Sequence, residues 1–112
     1  GGQIQRASGG SVGATAAGQI QGIIFDQAFI GGCAMDPQMG LTGFDFADCE
    51  FKKAVIAQSN QTIVALTADK LPGVARFVVS TCQDIDVLVV KEALEQGVVD
   101  AFAAQDIRIV CA

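Results

Sequence analysis

The chain has 112 residues and weighs 11.5 kDa, enough for one domain and too few for two. Hydrophobic residues make up 51% of it and charged residues 17%, so it can bury a core and is not intrinsically disordered. It contains no His, Trp or Tyr, which excludes an imidazole base, a Ser/His/Asp triad and any His-ligated metal. Twelve acids against seven bases give a net charge of −5. Such a surface repels phosphate backbones, so these residues alone are not expected to bind DNA or RNA.

The four cysteines, Cys33, Cys49, Cys82 and Cys111, are widely separated with no C-x-x-C. They read as reduced, mostly buried thiols of a cytoplasmic protein rather than as a zinc site. No apolar run reaches the ~18 residues of a membrane span, and no basic-then-apolar signal segment is present. The chain opens Gly1-Gly2 rather than with Met, which suggests a piece of a longer protein.

Residues 1–10 are polar and Gly-rich, with a weak strand alternation around Ile4. Ser11 can cap a helix over residues 13–21, although Gly13 and Gly18 weaken it. Residues 23–30 read as a strand stopping at Gly31 and Gly32. Residues 31–43 hold many glycines, with Asp36, Pro37 and Thr42, and form the clearest long loop. Thr42 to Asp45 fits a T-x-x-D capping box. The helix that follows places Phe44, Ala47, Phe51, Ala54 and Val55 on one face and the pair Asp48 and Lys52 on another, ending near residues 58–60. Residues 62–66 are a β-branched apolar run of the buried parallel type. Residues 67–73 form a loop carrying Lys70, and 77–79 are a short apolar run of either type. Residues 85–90 are a second buried strand, 92–105 a helix interrupted by Gly97, and 107–110 a closing strand. Strands alternate with helices, so the fold class is α/β with a mainly parallel sheet flanked by helices.

In such a sheet ligands bind beyond the carboxyl ends of the strands. The segments after residues 30, 66 and 90 qualify by position. The first carries Gly31, Gly32, Cys33, Asp36, Gly40 and Thr42 and leads into a helix start, where backbone amides and the helix dipole suit an anion. The second adds the positive charge of Lys70. Together they form a candidate cradle for a phosphate or sugar phosphate, weighed against ordinary turn chemistry. Cys33 lacks a His to activate it and reads as a spectator thiol. Gly9 to Gly13 is neither G-x-G-x-x-G nor a P-loop. Asp84 and Asp86 suit a solvated edge or a cap, and Lys52 and Lys53 an exposed helix face.

The run from Asp26 to Asp36, followed by Gly40, Leu41 and Thr42, resembles the F-D-x-A-F-[IL]-G-A-D-G-[IV]-D…G-L-T-T signature of the DeoR family of bacterial transcriptional regulators. Residues 45–56 resemble the helix D-x-x-E-A-x-V-K-x-x-M-I that follows it, with Asp48, Cys49, Lys52 and Ile56 in register. Lys70 falls on the lysine of L-A-D-S-S-K, and residues 84–88 on D-I-D-x-L. Gly1-Gly2 and residues 12–16 resemble the G-G and V-G-x-x-A that come earlier.

The resemblance implies a Rossmann-like sensor domain related to the ribose phosphate isomerase fold, spanning residues 1–112. It implies that a helix-turn-helix and the D-x-G-T-T start of the sensor precede Gly1. The implied function is a cytoplasmic regulator, commonly a repressor, that senses a phosphorylated sugar or related anion and needs no cofactor or metal. The implied effector contacts are Gly31, Gly32, Cys33, Asp36, Thr42, Gly43 and Lys70. DNA would bind only through the preceding domain, and a homo-oligomer without membrane association is expected. The departures are specific: family aspartates are replaced by Cys33 and Thr67, and the second Thr of G-L-T-T by Gly43. Loss of these carboxylates argues against catalysis. A sugar-phosphate isomerase-like enzyme and a vestigial oligomerisation module are the alternatives.

Overall fold

The computed structural model describes residues 22–32 and 34–112. The helix expected over residues 13–21, the strand around Ile4 and Cys33 lie outside the described residues. Four parallel strands form the main sheet in the order β1 (Phe25–Gly31), β4 (Ser59–Leu66), β6 (Val87–Val90) and β7 (Arg108–Cys111). Two helices, α1 (Phe46–Ala57) and α2 (Gln96–Ala103), pack with it. The expected α/β class with a mainly parallel sheet is therefore present, in a Rossmann-like arrangement.

Strand order advances in one direction, so right-handed crossovers place both helices on the same face. Ala28 and Ile30 of β1, Val64 and Leu66 of β4, and Leu88 and Val90 of β6 line that face. They join Phe51, Val55 and Ile56 of α1 and Phe102 of α2 in one buried cluster. Phe102, Leu88 and Val64 are fully buried, each contributing on the order of 1.5–3 kcal/mol by leaving water. The opposite face carries Phe29, Ile63 and Val87 in register, and Phe29 there is 63% exposed.

Residues 31–43 are not one loop. β2 (Ala34–Asp36) and β3 (Gly40–Gly43) form an antiparallel hairpin, extended by β5 (Phe77–Ser80) into a second, three-stranded sheet. Of the Gly and Pro content that reads as loop, only Pro37 and Gly40 belong to the hairpin turn; Gly31 ends β1 and Gly43 lies in β3. The Asp36 carboxylate accepts from the amides of Gln38 and Met39, both at 2.9 Å, and Gly40 takes φ +81°. A β carbon on Gly40 would also strike the Ser80 backbone, so only glycine suits this position.

The helix start also differs from the expected capping box. Asp45, not Thr42, caps α1: its Oδ1 accepts from Asp48 N at 2.8 Å. Thr42 lies inside β3, so Phe44 precedes the helix and is 67% exposed. Asp48 and Lys52 form the expected i, i+4 ion pair at 2.8 Å, but on the buried face, 8% and 7% exposed. Lys53 alone is on the exposed face, paired with Glu50 at 2.9 Å. β4 begins at Ser59 and is longer than residues 62–66, because pairing with β1 starts at Phe25 and Ser59. α2 occupies only the centre of the span 92–105.

Candidate functional site

Parallel register brings the three sequence-predicted segments to one edge. Gly31 pairs with Ala65, Ala65 with Val89, and Val89 with Val110. The carboxyl ends of β1, β4 and β6 thus lie side by side, and the turns leaving them start from a common rim.

The glycines at the end of β1 differ. A β carbon at Gly32 would lie 2.6 Å from Leu41 Cδ1 and 3.5 Å from Leu66 Cδ2, so a side chain there would have to displace the buried Leu41 side chain. Gly31 is exposed and a β carbon would meet nothing within 4 Å. Its bare backbone faces open space at the rim.

The hairpin is held against the turn after β4. Thr42 is completely buried; its hydroxyl donates to Ala34 O at 3.3 Å and accepts from Ala75 N at 2.7 Å. Gly73 N donates to Met35 O at 3.0 Å. Thr42 therefore braces β2, β3 and the 73–75 turn, with its hydrogen-bonding capacity used inside the fold. Gly43 is buried and pairs with Phe77 of β5. Asp36 is half-buried, one oxygen committed to the hairpin turn. It borders a shallow cavity of about 280 Å³ between that turn, Pro72 and the start of α2 at Gly97 and Val98.

Lys70 ends a single 3-10 turn, Ala68–Lys70, directly after β4, and is exposed. Asp69 beside it is held below the usual carboxylate range, first by a hydrogen bond from the Thr67 hydroxyl and to a lesser degree by Lys70. Sequence reasoning passed over Asp69, which lies two positions beyond Thr67, where the family has its aspartate.

Among the described cysteines, Cys49 and Cys82 are buried and Cys111 is exposed. The Cys82 thiol donates to the carbonyls of Asp36 and Pro37, each at 3.4 Å. Burial, and then the Asp36 charge, push it up, so it stays protonated and unreactive near neutrality. The Asp86 carboxylate, on an exposed residue just before β6, accepts from Thr62 N of β4 at 2.8 Å. Among the described residues no group of His, Cys, Asp or Glu is arranged to hold a metal ion, and no helix is long and apolar enough to cross a membrane.

Residues 1–92 match the family described as DeoR C terminal sensor domain. No curated protein matches the sequence.

Proposed function

The chain belongs to the family of DeoR C-terminal sensor domains, and from that premise we propose that it senses a phosphorylated sugar or a related anionic metabolite. Its output, on this reading, is a change in operator binding by a helix-turn-helix domain of the intact cytoplasmic protein, acting as a repressor. Gly31, Gly32, Cys33, Asp36, Thr42, Gly43 and Lys70 remain the proposed effector region, with distinct tasks. Gly31 and the segment around Cys33 offer backbone amides, and Lys70 offers charge. Gly32, Thr42 and Gly43 hold the rim in shape, and Asp36 fixes the neighbouring hairpin turn.

The observation that carries this reading is the convergence of three strand ends on one rim beside an open glycine and an exposed lysine. The domain binds its ligand and does not transform it. The chain has no His, and one oxygen of Asp36, the nearest carboxylate of the hairpin, is occupied by two amides. The exposed Phe29 on the face opposite the helices suits assembly into a homo-oligomer.

The test uses the full-length regulator and its operator. Sugar phosphates are expected to raise the melting temperature and release DNA. Gly31→Val, which the space around Gly31 accommodates, and Lys70→Ala are each expected to weaken that response about tenfold, while leaving the unliganded melting temperature within a degree or so (surface substitutions cost under ~0.5 kcal/mol). A panel that neither stabilises the protein nor releases operator rejects the proposal.

A further inference from the structure

Parallel sheets are normally covered on both faces. Here α1, α2 and the Met35, Leu41 and Val79 side chains of the second sheet all join the cluster on one face of the main sheet. A helix entering β1 from a further parallel strand on its free side would, by the right-handed rule, join them there. The opposite face is left with two rows of residues in register. One is Phe29, Ile63, Val87 and Arg108, and the other is Gly31, Ala65, Val89 and Val110. Phe29 and Arg108 are exposed at the two margins, with Ile63 and Val87 half-buried between them. None of the chain's twelve acids lies in these rows. Asp26 is the only acid within the four strands, and alternation turns it to the other face.

Both rows are self-complementary. A twofold axis parallel to the strands sets β1 over β7 of a second copy and β4 over its β6. The first row then meets its own reversal: Phe29 faces the partner's Arg108, and Ile63 faces the partner's Val87. A guanidinium stacks on an aromatic face, and the aliphatic side chains fill the layer between sheets about 10 Å apart. The second row runs from small to large, so its reversal places the partner's Val110 over Gly31 and the partner's Val89 over Ala65. Large against small is what lets facing layers interdigitate without voids. The lack of acids matters as well, because two chains of charge −5 repel least where neither presents a carboxylate.

We infer that the open face of the main sheet is an isologous interface between two copies of this chain, β1 of each lying over β7 of the other. The inference rests on the homo-oligomer reading above and names its surface and orientation. Because Gly31 belongs both to the second row and to the proposed effector rim, the second copy brings its Val110 to the border of that site.

Sedimentation equilibrium of the full chain and its variants tests the arrangement. The unaltered chain is expected to dimerise. Phe29→Lys sets an ammonium against the partner's Arg108 and should weaken dimerisation at least about tenfold. Arg108→Glu sets a carboxylate against the partner's Phe29 and should also weaken it about tenfold. Combining the two places opposite charges across the interface twice. Affinity should then return to within about threefold of the unaltered chain, a departure from additivity expected of apposed residues. Because Phe29 and Arg108 are exposed, the variants should fold, which their melting curves check. A dimer indifferent to Phe29→Lys, or a double variant weaker than both single ones, overturns the inference and leaves homo-oligomerisation to another surface. A chain still monomeric at about 1 mM removes the inference and the homo-oligomer reading together. Effector sensing is read separately by the melting and operator-release test above, since neither Phe29 nor Arg108 belongs to the effector region.

Discussion

Asp48 and Lys52 sit one turn apart on α1, 2.8 Å between charged atoms, with side chains only 12% and 8% exposed. Sequence spacing predicts the pair, yet ordinary helix-surface pairs of this kind contribute a few tenths of a kcal/mol. Burial changes the magnitude, because a charge left alone in the interior is poorly solvated. Lys52→Met should therefore cost about 3–5 kcal/mol by urea denaturation. Asp48 Oδ1 has no hydrogen-bond partner, so the pair itself is imperfectly satisfied. Replacing both by Leu and Met should recover most of that loss. A double variant as unstable as the single one would show that the pair, rather than the orphaned charge, carries the stability. Gly31 and Gly32 teach a related lesson. They are identical in sequence, but a side chain on one would have to displace Leu41 and on the other would meet open space.

At the scale of elements, the parallel strands and the central part of α1 were legible because their signals are local. β-branched apolar runs mark β4 and β6, apolar residues ending at a glycine pair mark β1, and spacings of three and four mark α1. The hairpin β2–β3 was not legible. Its strands are short, and its glycines and proline look like loop chemistry, while its stability comes from β5, more than thirty residues away in sequence. Pairing of Leu41 with Ser80 and of Thr42 with Val78 is long-range information that no window contains. The positive φ of Gly40 and its closeness to the Ser80 backbone make the turn a sensitive point. Gly40→Ala should destabilise the fold by at least about 1–2 kcal/mol, read as a lowered denaturation midpoint with an unchanged slope. The capping error has the same origin. Thr42 and Asp45 both suit a helix start, and only the demand of β3 for Thr42, buried between Ala34 O and Ala75 N, leaves the cap to Asp45.

For the molecule as a whole, the net charge of −5 bears on what the domain does in the intact regulator. A gel-shift titration of this chain with operator DNA at low salt should show no retardation, since acidic surfaces gain nothing from counterion release. Retardation by these residues alone would mean that charge placement matters more than its sum.

Composition and periodicity by themselves determined the α/β class, the absence of imidazole chemistry and the parallel strands, while the sensor domain entered through the resemblance that the ordered motifs carry. These are properties of single residues or of neighbours along the chain. The tertiary structure decided which glycine is open, which threonine is consumed as a brace, that the Asp48–Lys52 pair is buried, and that Phe29 and Arg108 end one row of an open sheet face. Each depends on strand register and on contacts between distant segments, and those are set by how the whole apolar surface packs rather than by any local preference.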